Sequence, residues 1–211
     1  MIFHDRIDAG RQLGEALAFL QDRQNVIVLG IPRGGVVVAA QVARVLNAPL
    51  DLWFARKIGA PGNPEFAIGS IAAIGDAELD PLTLDAMNIA PDYVAAEVSK
   101  QRAEIERRAR FYRGNRLPLQ LAGKVAVLVD DGLATGSTAV AAVKSLRGQS
   151  PAEIILAVPV SPPDTNAKLR ALVDKLVVLH APFDFAAVGQ YYAVFDQTSD
   201  EQVIELMHNA E

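Results

Sequence analysis

The chain has 211 residues, no cysteine and a formal net charge of −5, with a pI near 5.3. The missing cysteines exclude disulfides and thiolate chemistry. The acidic balance gives a whole-molecule field that repels nucleic acid and polyphosphates, so any anionic ligand must be held by local donors and cations.

Hydrophobic residues at 51% and charged residues at 21% fit one globular domain over 1–211, with no repeat or linker. Met1-Ile2-Phe3-His4-Asp5 opens no basic-then-apolar leader, and no apolar run reaches the ~18 residues of a membrane span. A cytoplasmic protein without a membrane partner is expected.

The pattern along the chain alternates short apolar runs with helical stretches, which predicts an α/β fold built on a mostly parallel sheet with helices on both faces. Asp8 is read as the cap of a first helix in which Leu13, Leu17 and Leu20 share a face. A buried strand follows at 25–29, a Gly-rich break at 30–35, a helix at 36–46 and a second strand at 50–55. Residues 57–64, Lys-Ile-Gly-Ala-Pro-Gly-Asn-Pro, read as a loop without regular structure. Residues 66–74 read as a short strand or hairpin. The longest helix is expected at 92–113, ended by Gly114, within a helical excursion from the core at 75–121. Further strands are expected at 125–129, 153–158 and 176–179, with helices at 137–147 and 163–173 between them. Ser199-Asp200-Glu201-Gln202 is a capping box opening a last helix.

The chemistry concentrates at 125–138. An apolar strand ends in two consecutive acids, Asp130 and Asp131. Small residues follow, and a helix begins near Ser137. A helix N-terminus offers unpaired N–H groups and a positive dipole end, and so holds a phosphate. Gly136 lets the backbone approach the anion, and Thr135, Ser137 and Thr138 add hydroxyl donors. A Walker loop would need a lysine before Ser137, and Gly30 to Gly35 has the wrong spacing for a dinucleotide fingerprint.

Residues 127–138 resemble the 5-phosphoribosyl-1-pyrophosphate (PRPP) motif of type I phosphoribosyltransferases, and the whole chain is similar to a group of predicted phosphoribosyltransferases. The resemblance implies transfer of the 5-phosphoribosyl group of PRPP to a nitrogen acceptor such as a nucleobase. It further implies Mg²⁺ held mainly through PRPP with Asp130 or Asp131, release of pyrophosphate, and a homodimer. Under it Asp130 and Asp131 bind the ribose hydroxyls, and Ala134, Thr135, Gly136, Ser137 and Thr138 anchor the 5′-phosphate. Pro32, Arg33, Gly34 and Gly35 form the pyrophosphate loop, and Arg56 and Lys57 stand where two cations precede a mobile catalytic loop. Glu65 is a candidate acid or base. Phe183, Phe185 and Val188 fall in the region where purine-specific members stack the base.

Several features read more simply. His4, His180 and His208 lack metal-ligand spacing. Arg107, Arg108, Arg110, Arg113 and Arg116 interleave with Glu97, Glu104 and Glu106 and read as a solvated face. A PRPP-sensing regulatory protein is the alternative to an enzyme, and the acidic balance opposes a DNA-binding version. A hydrolase using Asp130 as nucleophile is the third option.

Overall fold

The computed structural model describes residues 2–72, 75–114 and 116–209, with Glu65 described by its backbone alone. Its core is a five-stranded parallel sheet in the order β2-β1-β6-β7-β8, formed by β1 (Val26–Gly30), β2 (Leu50–Leu52), β6 (Val125–Val129), β7 (Glu153–Val160) and β8 (Lys175–His180). Alternate strand residues face opposite sides. Val28, Val127 and Ala157 therefore join one buried cluster, and Ile27, Leu128 and Leu156 the other. Helices α1 (Arg6–Ala16) and α2 (Gly34–Leu46) supply Leu13, Val38 and Val42 to the first cluster. Helix α5 (Ser137–Arg147) supplies Ala142 and Leu146 to the second.

The α/β reading stands, while α2 starts at Gly34 rather than 36, the helix expected at 163–173 ends at Arg170, and the first helix is capped differently. The cap of α1 is Asp5, not Asp8: Asp5 lies in extended backbone and its Oδ1 accepts the Asp8 N–H at 2.8 Å. Asp8 already lies inside the first turn, where its carboxylate accepts the His4 N–H at 3.1 Å.

A larger correction concerns 57–64. Instead of an irregular loop, the chain forms an antiparallel hairpin of β3 (Ala55–Ala60) and β4 (Asn63–Ala72), turning at Pro61 and Gly62. The composition misleads because Gly59 and Pro64 serve a bulge. The register shifts on both sides of Gly59, and a Cβ there would lie 2.6 Å from Pro64 Cα. The second strand accordingly stops at Leu52 rather than at 55.

The excursion begins at this hairpin, not at 75. Its third strand, β5 (Glu78–Leu79), pairs with β4. Helices α3 (Pro81–Ala86) and α4 (Pro91–Arg113) follow, α4 packing on β3 and β4 and ending at Gly114 with φ 59°. Arg107 and Arg108 are both exposed and paired with Glu104, but the solvated-face reading fails for Arg113. Arg113 Nε meets Asp51 Oδ1 at 2.7 Å with both side chains 7% exposed. Asp51 also accepts the Leu52 and Leu119 N–H groups, so this pair is a buried clamp between α4 and the core sheet. Arg116 Nη1 likewise donates to Met207 O on α7 (Asp200–His208).

The chain leaves β1 toward β2 on one side and returns to β6 on the other. Ligands of open α/β sheets bind at such a switch point, beyond the strands' carboxyl ends. The loops after β1 and β6 lie there, and the hairpin and α4 stand over them.

Candidate functional site

Strand β6 delivers Asp130 and Asp131 to that crevice, and the β1 loop is built around them. A Cβ on Gly34 would run into the Asp131 carboxylate, and one on Gly35 would sit 2.7 Å from Asp130 Oδ1. Glycine at both positions is what lets the two loops touch. Asp131 Oδ2 is bound by Arg6 Nε at 2.7 Å, and Arg6 is itself fixed by Asp196 O and by the ring of Phe195. Tyr192 OH donates to Asp131 O, and burial followed by the Asp131 charge raises the phenol pKa. Asp130 receives the Asp131 N–H at 2.9 Å. Its pKa is raised well above the usual carboxylate value, first by burial and then by the charge of Asp131.

Gly136, at φ 74°, caps α5 and aims the helix's first turn at the crevice. Those first N–H groups lack intrahelical acceptors. Thr135 Oγ1 and Ser137 Oγ are 3.1 Å apart, and Thr165 Oγ1 on α6 (Pro163–Arg170) pins Ala134 O at 2.6 Å. The result is a loop held open, with hydroxyls and amides together.

A cavity of about 630 Å³ joins Pro32, Arg56, Lys57, Thr135, Ser137 and Thr138 from the sequence reading. Its other wall combines Trp53 and Phe54 with Glu97, Gln101, Ile105 and Arg108 of α4. Arg56 Nε donates to Gln101 Oε1 at 2.5 Å, and Gln101 Nε2 to Glu97 Oε1 at 2.6 Å. The Gln101 hydrogen bond, with Lys100 and Arg56 nearby, holds Glu97 below its ordinary pKa. Beside this cavity a smaller one of about 270 Å³ contains Pro32, Arg33, Arg108, Tyr112 and Asp200. The Pro32–Arg33 peptide is cis. Arg33 Nη1 lies 3.5 Å from Asp200 Oδ1, which also accepts from Tyr112 OH at 2.5 Å. Burial and the Asp200 contact push the Tyr112 phenol up to about 12, and the same hydrogen bond lowers Asp200.

Other candidates stand apart. Phe183 is 94% exposed, Phe185 stacks on Tyr191, and Val188 packs behind the acids against Gly132. None of the three lines the large cavity. Glu65 sits on β4, and its side chain lies outside the described residues. Among the described residues no three His, Cys, Asp or Glu side chains gather as a metal site. Sequence reasoning missed Arg6, Gln101 and Asp200. Arg6 and Asp200 meet partners 125 and 167 residues away, with no local pattern to announce them.

The family model for the phosphoribosyl transferase domain matches residues 5–193. The chain belongs to this family. The match spans Arg6, both crevice loops, the hairpin and α4, whereas Asp200 lies beyond it. Two Mycobacterium tuberculosis proteins, from strains CDC 1551 / Oshkosh and ATCC 25618 / H37Rv and each named "Putative phosphoribosyl transferase", are 43% identical over 209 residues. These cover 99% of this chain and 47% of theirs, so the chain spans about half the length of those relatives. The crystal structure of TT1426 from Thermus thermophilus is similar at a TM-score of 0.89 and 43% identity, over 99% of each chain.

Proposed function

We propose that this phosphoribosyl transferase domain moves the 5-phosphoribosyl group of PRPP to a nitrogen of a small acceptor, a nucleobase-like molecule. The observation that carries the reading is that the Pro32–Gly35 loop touches the paired acids and, through Pro32, lines one cavity with Thr135, Ser137 and Thr138 at the start of α5. In the reaction the C1–oxygen bond breaks, pyrophosphate leaves with the electron pair, the acceptor nitrogen's lone pair forms the new bond to C1, and the acceptor's N–H proton is released to solvent. Residues 134–138 hold the 5′-phosphate. Asp130 and Asp131 accept hydrogen bonds from the ribose hydroxyls and stabilise positive charge developing at C1. Arg33 with the Pro32–Gly35 backbone, and Arg56 with Lys57, face the pyrophosphate. The wall of Trp53, Phe54 and Ile105 shields the reacting centre from water.

The donor set fits a Mg²⁺ that arrives on the ligand. Asp130 and Asp131 would hold it through hard carboxylate oxygens, which suit this ion. Bound beside Asp130 and Asp131, such an ion would supply positive charge for the pyrophosphate group. An acidic protein would in this way hold a polyanion through local donors.

A PRPP sensor that does not turn over is the second reading. The Arg6–Asp131 ion pair favours it, because it already occupies one of the two carboxylates. Pyrophosphate release decides between them. With PRPP, Mg²⁺ and a panel of nucleobases, the transferase reading expects acceptor-dependent release that Asp130→Asn cuts by orders of magnitude. Tight PRPP binding with no release from any acceptor would leave the sensor.

A further inference from the structure

A cavity of about 320 Å³ lies between the β3–β4 hairpin and the flank of α5. It shares Lys57, Thr135 and Ser137 with the large cavity, but Thr138 lines only the latter. From Ser137 it runs along α5 past Val140 and Ala141 to Lys144, one to two turns beyond the phosphate cradle. Lys168 of α6 closes the far side.

Among the described residues the lining holds Lys144 and Lys168 beside Lys57, and one carboxylate, Asp80, which is engaged in capping α3 through Thr83 N and Oγ1. Lys144 and Lys168 are exposed and form no salt bridge among the described residues, Lys144 acting on Asp80 only at long range. An independent observation comes from the hairpin. Ser70 also lines the cavity, is 5% exposed, and its buried Oγ has no hydrogen-bond partner among the described residues. A buried hydroxyl is rarely left so unless something absent from the chain meets it. Ser70 stands directly opposite Lys57 in the hairpin register, so the two side chains share the face turned to this cavity.

We propose that this cavity is a second anion site, binding the phosphoryl group of a small phosphate ester other than the ligand of the large cavity. Lysine point charges suit a phosphoryl group, and the Ser70 hydroxyl supplies a directed donor. The volume is at the small end for ligand pockets, which fits a compact ester rather than a nucleotide. Because its roof is the hairpin that carries Lys57, occupancy would hold that hairpin on α5 and set where Lys57 stands in the large cavity. The inference rests on the proposed function in one respect: the α5 cradle is counted as the first phosphate site.

Equilibrium dialysis of the full chain against labelled inorganic phosphate tests it. Two phosphates per chain are expected, one displaced by PRPP with Mg²⁺ and one not. Lys144→Ala with Lys168→Ala should weaken the undisplaced phosphate at least tenfold and leave the displaceable one intact. Ser70→Ala, a near-isosteric change, should weaken the same site several-fold, and acetate should not compete. A single phosphate per chain, or a second one indifferent to these variants, overturns the inference. If PRPP displaces neither phosphate while the lysine variants still remove one, the PRPP assignment fails and the second site stands.

Discussion

Asp130 is held in a place that disfavours its own charge. Burial and then Asp131 raise its pKa, so the folded protein binds this proton more tightly than the unfolded chain does. The stability it contributes is therefore fully present below its unfolded value, near 3.8, and is lost as pH rises through its higher folded value. Asp130→Asn should raise the ligand-free melting temperature near neutral pH and flatten its fall above pH 4. An unchanged melting curve would contradict the assigned burial. The same variant should lose turnover, a trade of stability for function at one carboxylate. Asp51 and Arg113 show the opposite case, a buried pair away from the reacting groups. Removing one partner as Arg113→Ala strands a charge and should cost about 3–5 kcal/mol, measurable by urea unfolding. The acids at 130 and 131 were legible because strand, acids and helix start adjoin in the chain. Arg113 was misread because its surface-like company of Arg and Glu hides that one turn of α4 reaches Asp51.

The element that departs most from its sequence pattern is the β3–β4 hairpin. Glycine and proline at 59, 61, 62 and 64 suggest an open loop, yet they make a bulge and a turn that put Lys57 on a paired strand. Lys57 is thereby presented by a sheet rather than carried on a loop tip. Lys57→Ala should lower pyrophosphate release much more than PRPP affinity, as calorimetry and a release assay on the same sample would show. Equal losses in both would mean that Lys57 serves binding alone. Gly59→Ala forces a Cβ against the Pro64 backbone and should disturb the hairpin itself, lowering release with little loss of global stability. The central strands β1, β6 and β7 were legible because each is a near-continuous apolar run buried on both faces. Helix α4 was legible in its length and not in its role. Its cavity wall at Glu97, Gln101, Ile105 and Arg108 appears only once the hairpin places β3 beneath it.

At the scale of the molecule, the crevice gathers residues from Arg6 near one end of the chain to Asp200 near the other. The loops after β1 and β6 lie at the switch point, and the hairpin with α4 stands over them. At a protein of net charge −5, the proposed anion binding would rest on local donors and cations brought together by topology rather than on the overall field. The central claim is that this crevice binds PRPP with Mg²⁺ through both its phosphate ends. Thermal unfolding with added ligand tests it most directly, since a ligand that binds only the folded state raises the melting temperature by mass action. PRPP with Mg²⁺ should give a clear rise, and ribose 5-phosphate, which lacks the pyrophosphate, a smaller one. No shift at millimolar PRPP and Mg²⁺, or equal shifts with the two ligands, would contradict the account.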